Sequence, residues 1–119
     1  KGSIINITSL GSERGFAGNP SYQVSKAGLK QLTKSLAYDW GKKNIRVNNL
    51  CPGYIKSPMT IKSYKNTRLR KIRNERMILS RWGDPLDLAG PCIFLASDAS
   101  AYITGSDIIV DGGWLAKGL

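Results

Sequence analysis

A serine, a tyrosine and a lysine near the start of the chain have types and spacing that could carry out proton chemistry. Tyr22 and Lys26 are four residues apart in the stretch YQVSK, and Ser9 lies 13 residues before the tyrosine. On a helix the phenol and the ammonium would share one face. A neighbouring ammonium stabilises a phenolate, which otherwise forms only with a pKa of about 10. Such a phenol could exchange a proton with a carbonyl or alcohol oxygen, to which the Ser9 hydroxyl could donate a hydrogen bond.

The same pair has a structural interpretation, because a Tyr-x-x-x-Lys pair also occurs on the solvated face of many helices. The chain has no histidine, which excludes nucleophile–histidine triads and most zinc sites. Cys51 and Cys92 show no metal or redox spacing, and we expect both to be buried in a reducing compartment. We predict no metal site.

Alternating strand-like and helix-like runs must position these side chains. The predicted strands cover residues 3–8, 45–50 and 106–110, and the first is expected to be buried on both faces. With a helix between successive strands, this order predicts an α/β fold with a parallel sheet. Ligands in such sheets bind beyond the carboxyl ends of the strands. Ser9 and Pro52-Gly53 follow two such ends, so we expect them at the same edge.

Two helices and one less regular segment complete the pattern. A helix is predicted from Asn19-Pro20 to about Trp40, with leucines at helical spacing and Gly41 ending it. A second helix is predicted from 84–85 to about 97, in which Pro91 should kink the helix or delay its start. Residues 54–83 are expected to be irregular or a helical excursion.

Four segments resemble, in order and at matching distances, the motifs of the short-chain dehydrogenase/reductase family. They are NITS, YQVSK, IRVNNLCPGYIKSPM and the run from RWGDP to IIVDGGW, and together they cover essentially the whole chain. The resemblance implies a Rossmann-like doubly wound parallel sheet, present as its C-terminal half with three strands and flanking helices. The loop SLGSERG is similar to that of the branch that includes gluconate 5-dehydrogenases and 3-oxoacyl-carrier-protein reductases.

The resemblance also implies a role for each site residue. Tyr22 would be the proton donor and acceptor, Lys26 would assist it and bind the ribose of the cofactor, and Ser9 would hold the substrate oxygen. Cofactor-binding positions would be Tyr22, Lys26, Pro52, Gly53, Ile55 and Ser57, with Ser57 standing where the family usually has threonine. Asn6, Asn48 and residues 111–113 are expected to be structural.

The implied activity is an NAD- or NADP-dependent interconversion of a carbonyl and a secondary alcohol. The family's glycine-rich phosphate turn and the residue that selects NAD or NADP have no counterpart in this sequence. We therefore expect residues 1–119 to be one partial domain, the catalytic half of a longer enzyme, and to be inactive alone. The alternative is a catalytically incompetent fragment or interaction module that retains the half-fold.

The charge is concentrated in one segment. The net charge is +10, and residues 62–81 hold eight basic residues against one acid. The resemblance makes 54–83 a substrate lid, and a basic lid favours an acidic small-molecule substrate: a sugar acid, a phosphorylated or nucleotide-linked sugar, or an acyl group on an acidic carrier protein. The alternative is a solvated helix face whose side chains cover apolar surface. No nucleic-acid partner is predicted, since no groove-reading motif or stacking aromatics accompany the charge.

Location and assembly follow from simpler features. No apolar run approaches the roughly 20 residues of a membrane span, and the start of the chain is unlike a signal peptide. We therefore predict a cytoplasmic protein with no membrane partner.

The family pairs the helix at 20–40 and the last strand between subunits, which implies a homodimer or homotetramer.

Overall fold

A three-stranded parallel sheet forms the centre of the computed structural model, which describes residues 1–117. The strands are β1 (Gly2–Ile7), β2 (Ile45–Pro52) and β3 (Asp107–Val110), and their order in the sheet is β1-β2-β3. Ile4 pairs with Val47 and Leu50 pairs with Ile108. The predicted α/β architecture with a parallel sheet is confirmed.

Within the described residues, four α-helices connect and cover the strands. They are α1 (Pro20–Trp40), α2 (Ile61–Lys65), α3 (Thr67–Arg76) and α4 (Ala89–Ala96). Half of the excursion at 54–83 is thus helical, since it contains the 5 residues of α2 and the 10 residues of α3. No helix among residues 1–117 combines the length and the apolar character that a membrane crossing requires.

Helix α1 has the bounds that its sequence predicts. The Asn19 side chain accepts a hydrogen bond of 3.2 Å from the Tyr22 N–H, and Pro20 occupies the first turn, where its missing N–H costs no helical bond. Gly41 caps the helix in a right-handed conformation (φ −56°), and the left-handed residue is Asn44 (φ 58°). A 3-10 turn over Gly41–Lys43 follows the helix, and Asn44 after it is a residue type that tolerates the left-handed conformation.

Helix α4 begins later than the sequence pattern indicates. Residues Pro85–Leu88 form a 3-10 turn, and the α-helix starts at Ala89. Pro91 consequently lies in the first turn, where its missing N–H breaks no helical hydrogen bond. Of the two effects expected of Pro91, a kink or a delayed start, the structure shows the delayed start.

The expectation that β1 is buried on both faces is wrong. Ile7 is 46% exposed, whereas Val47 and Leu50 in β2 are fully buried. The difference arises because β2 is central and β1 is an edge strand of the described sheet, only partly covered by the helices. The leucine pattern of α1 also misleads, since Leu32 is exposed and Thr33 is buried instead.

A chain of hydrogen-bonded polar side chains, of which Thr33 and Asn49 are buried, joins α1 to all three strands. Asn6 Nδ2 donates to Thr33 Oγ1 at 2.8 Å, and the Thr33 hydroxyl donates to Asn49 Oδ1 at 2.6 Å. Asn49 Nδ2 donates in turn to Asp107 Oδ1 at 2.7 Å. These bonds fix the position of α1 on the sheet, because they satisfy the buried polar groups of Thr33 and Asn49.

The main core cluster lies between the sheet end and the excursion. It contains Leu10, Cys51, Met77, Trp82 and Trp114. Cys51 is buried as expected, and burial raises the pKa of its thiol. Cys92, on the short helix α4, is only half-buried, which corrects the expectation for that residue.

Candidate active site

A cleft of about 430 Å³ opens at the carboxyl edge of the sheet. Ser9, just beyond β1, and Pro52-Gly53, at the end of β2, both line it, as their positions after neighbouring strands predict. Tyr22 enters from the first turn of α1. The other lining residues are Leu10, Gly11, Phe16, Ala17, Asn19, Gln23, Tyr54, Met59, Thr60 and Arg73.

Ser9 and Tyr22 converge on Gly11. A β-carbon placed on Gly11 would lie 3.6 Å from Ser9 Oγ and 3.7 Å from the Tyr22 ring carbon Cε1. Ser9 Oγ accepts a hydrogen bond of 3.1 Å from the Gly11 N–H and so caps the 3-10 turn that follows. A hydroxyl that accepts one bond keeps its own proton to donate, so Ser9 can still bond to a ligand oxygen in the cleft.

Lys26 lies one helical turn beyond the tyrosine. Its Nζ atom is 5.8 Å from the centroid of the Tyr22 ring and donates a 2.8 Å hydrogen bond to the carbonyl of Ile7, the last residue of β1. The ammonium therefore faces the same strand end as the phenol. Lys26 does not itself line the cleft.

Ile55 and Ser57 lie beside the cleft and are held there by a residue that the sequence analysis missed. The Thr60 hydroxyl accepts a 3.0 Å hydrogen bond from the Ser57 N–H and donates one of 2.6 Å to the Ile55 carbonyl. The Ile55 carbonyl is thus already bonded within the chain. The sequence signal for this arrangement is the Ser-x-x-Thr spacing of Ser57 and Thr60, which is typical of a turn closed by a side-chain hydroxyl.

Gln23 is a second missed residue, and it shapes the other wall. Its Oε1 accepts a 2.7 Å hydrogen bond from the Phe16 N–H, and its Nε2 donates one of 2.6 Å to the Phe16 carbonyl. Both bonds anchor the loop between Ser9 and α1, and the Phe16 ring packs against Trp114 at 5.4 Å. The side chain next to the tyrosine in sequence therefore fixes the loop that faces it.

An ion pair anchors the same loop to α1 from outside the cleft. Lys30 Nζ lies 2.6 Å from Glu13 and 3.5 Å from Asp107. The hydrogen bond to Glu13 is the main reason that the pKa of Lys30 is raised, against an opposing desolvation effect. Loop, helix and third strand are thereby joined at one point.

Arginines of the basic segment, residues 62–81, contact aromatic rings as well as solvent. The guanidinium carbon of Arg70 is 5.2 Å from the centroid of Tyr64, and that of Arg73 is 4.7 Å from the centroid of Tyr54. Both rings pack against the buried Trp82. Covering of apolar surface, one of the two interpretations of this segment, therefore accounts for some of its arginines.

Comparison with known families decides the affiliation. The family profile described as "Enoyl-(Acyl carrier protein) reductase" matches residues 1–115. The chain belongs to the short-chain dehydrogenase/reductase family. Within that family it is 45% identical over 116 residues to the 2-dehydro-3-deoxy-D-gluconate 5-dehydrogenase of Dickeya dadantii, an alignment that covers 98% of this chain and 46% of the relative.

Solved structures of the family superpose closely on the described fold. A gluconate 5-dehydrogenase from Burkholderia cenocepacia, in complex with NADP and tartrate, is 33% identical with a TM-score of 0.94 over 97% of this chain and 45% of its own. A 4-hydroxyisoleucine dehydrogenase complexed with NADH is 36% identical with a TM-score of 0.93, over 97% and 47%. This short-chain dehydrogenase/reductase chain spans about half the length of the relatives it matches.

Proposed function

We propose that the full-length protein containing this chain is an NAD- or NADP-dependent oxidoreductase that interconverts a carbonyl and a secondary alcohol. The observation that carries the proposal is the convergence of Ser9 and Tyr22 in one cleft, with the Lys26 ammonium 5.8 Å from the tyrosine ring. Membership of an oxidoreductase family supports it.

The three side chains would divide the proton chemistry among them. In the direction of reduction, Tyr22 gives its phenolic proton to the carbonyl oxygen of the substrate. Ser9 donates a hydrogen bond to that oxygen and stabilises the charge that develops on it. The Lys26 ammonium stabilises the phenolate that remains, and the proton returns to Tyr22 when an alcohol is oxidised.

A nicotinamide cofactor would supply the hydride when bound, and the end of β2 fits such a group. Gly53 brings bare backbone to the cleft, and the Ser57 hydroxyl follows on the turn that Thr60 closes. We assign Pro52, Gly53, Ile55 and Ser57 to the nicotinamide side, with Tyr22 and Lys26 facing the ribose. Relatives crystallised with NADP and with NADH support either cofactor.

The excursion at 54–83 would cover the substrate, and its charge favours an acidic one. The relatives include a 2-dehydro-3-deoxy-D-gluconate 5-dehydrogenase, and the matching profile is described by an acyl-carrier-protein activity. A sugar acid and an acyl-carrier thioester are therefore the two substrate classes to compare. The aromatic rings beneath the arginines pack on one another around Trp82, an arrangement that does not offer them to nucleic-acid bases.

We also propose that the full-length protein forms a homodimer or homotetramer through α1 and β3. Val24 and Leu32 are exposed on α1, and Ile109 is exposed on β3. Apolar side chains on a helix and on an edge strand are what a subunit interface would cover. Light scattering coupled to size-exclusion chromatography would give the number of subunits, and a monomer at micromolar concentration would contradict this part.

The catalytic proposal is tested by substrate-dependent oxidation of the reduced cofactor. Full-length protein is mixed with NADH or NADPH and with 5-dehydro-D-gluconate or acetoacetyl thioesters, and cofactor absorbance is followed. We expect consumption with at least one pair. Failure of every carbonyl to accelerate cofactor oxidation, in a protein that binds the cofactor, would contradict the proposal.

A further inference from the structure

Helix α3 turns two arginines inward and its apolar side chains outward. Arg70 and Arg73, which share a helix face, are partly buried, while Leu69 and Ile72 are exposed. This is the reverse of the usual amphipathic arrangement, in which apolar residues face the core. Stacking on Tyr54 accounts for the inward position of Arg73 but does not balance its positive charge.

Arg73 is the only charged residue among those that line the cleft within the described chain. Its guanidinium carbon lies 4.7 Å from the Tyr54 centroid and 5.7 Å from the Trp82 centroid. Stacking of this kind fixes the plane of a guanidinium and leaves its N–H edge free for hydrogen bonds. Ser9 and Tyr22 line the same cleft.

No carboxylate in residues 1–117 pairs with Arg73. The ion pairs of that region are made by Lys1, Lys30, Lys56 and Arg81. A partly buried, uncompensated positive charge favours an anionic ligand, and the planar fork of arginine matches a carboxylate with two parallel hydrogen bonds. The positive charge is thus positioned for an anionic group that residues 1–117 do not provide.

We propose that Arg73 binds the carboxylate of a small oxo or hydroxy acid whose reacting oxygen lies at Ser9 and Tyr22. This rests on the proposed function and selects between its two substrate classes. A cleft of about 430 Å³ is within the range of small-ligand pockets and suits one compact acid. An acyl thioester carries no negative charge beside its reacting carbonyl, so it would leave Arg73 unpaired.

The test compares Arg73→Gln with Arg70→Gln in the full-length protein. Arg70 is a matched control because it stacks on Tyr64 from the same helix but does not line the cleft. Steady-state kinetics are measured with 5-dehydro-D-gluconate as the acidic probe and 2,3-butanedione as the neutral one. We expect Arg73→Gln to lower kcat/KM roughly 10- to 100-fold for the acid, mainly through KM, because a charged hydrogen-bond partner is lost.

The neutral probe and the control distinguish binding from damage to the fold. We expect both variants to retain kcat/KM for 2,3-butanedione within about threefold, and Arg73→Lys to recover part of the affinity for the acid. Equal losses on both probes, or equal effects of the two glutamine variants, would overturn the proposal.

A binding measurement separates this inference from the catalytic proposal. Calorimetry with tartrate requires no turnover, and we expect wild-type protein and Arg70→Gln to bind tartrate and Arg73→Gln to bind it at least tenfold more weakly. If the wild-type protein reduces no carbonyl but shows this pattern, the catalytic proposal fails and the carboxylate site stands. Equal tartrate affinity in all three proteins would refute the carboxylate site whether or not carbonyls are reduced.

Discussion

At the scale of single residues, the identity of Gly53 at the carboxyl edge of the sheet is determined by a close backbone contact. A β-carbon on Gly53 would lie 2.6 Å from the Asp111 Cα and 2.8 Å from the Asp111 Cβ. Only glycine therefore allows the ends of β2 and β3 to approach this closely. Gly53 was expected to bind the cofactor. This geometry shows that a glycine is also needed there to let the two strand ends pack together.

We predict that Gly53→Ala lowers the free energy of unfolding of the full-length protein by about 1–3 kcal/mol, because backbone must move to accept the methyl group. Gly41→Ala is the control. Gly41 has φ −56°, and a β-carbon placed on it would meet nothing within 4 Å, so alanine there should be neutral or stabilising by up to ~1 kcal/mol. Urea denaturation of both variants checks the prediction, and equal effects would contradict it.

At the scale of elements, the entry to α4 depends on one carboxylate. Asp87 accepts hydrogen bonds from Arg81 at 2.8 and 3.0 Å and one of 2.7 Å from the Asp84 N–H. These contacts, that with Arg81 first, lower the pKa of Asp87 to about 2. The turn that carries the chain from the excursion to α4 is therefore stabilised by an ionised group.

This depressed pKa predicts a pH dependence of stability. The folded state holds Asp87 ionised more strongly than the unfolded state does, so the contribution is complete above about pH 4 and is lost as the pH falls towards 2. We predict that Asp87→Asn is less stable than wild type at pH 7 and that the difference shrinks below pH 4. Asp39→Asn, at an exposed carboxylate without an ion pair in residues 1–117, is the control. An unchanged difference from pH 7 to pH 2 would contradict the prediction.

Elements set by local sequence signals could be predicted, and those set by tertiary packing could not. The bounds of α1 follow from Asn19-Pro20 at one end and Trp40-Gly41 at the other, so the sequence was sufficient. The exposure of Ile7 depends on what covers an edge strand, and the burial of Thr33 in place of Leu32 depends on which face of α1 meets the sheet. Neither is encoded in helical or strand periodicity.

The features of the candidate site can also be divided into those that the sequence predicts and those that depend on tertiary packing. Ser9 and Tyr22 could be predicted to meet because strand order brings the first strand end and the start of α1 to one edge. The two hydrogen bonds of Thr60 require the folded turn after β2, and the inward direction of Arg73 requires the docking of α3 on Tyr54. Short sequence windows contain neither relationship.

At the scale of the whole molecule, one exposed apolar face is formed where β1 and α4 are uncovered. Ile4 and Ile7 are exposed on the edge strand, and Ile93 and Phe94 are exposed on the helix beside it. An edge strand also presents unpaired backbone groups to any neighbouring chain. Surface of this kind favours association when nothing packs against it.

We predict that a polypeptide of these 119 residues alone self-associates, binds a hydrophobic dye and does not reduce carbonyls with NADH or NADPH. Light scattering and dye fluorescence, with the full-length protein as the reference, test this. A monomer that unfolds cooperatively and turns over a carbonyl substrate would contradict this prediction, because it would show that the exposed apolar face is stable in water.

The most direct test of the catalytic proposal is the turnover number of Tyr22→Phe in the full-length protein. Tyr38→Phe is the matched control, because Tyr38 lies on the same helix and is 89% exposed. We predict that Tyr22→Phe lowers kcat about 10²- to 10⁴-fold with the fold intact by circular dichroism, as expected for a lost proton donor, and that Tyr38→Phe matches wild type. Equal turnover by the two variants would contradict the assignment of proton transfer to Tyr22 and favour an interaction module that keeps the fold.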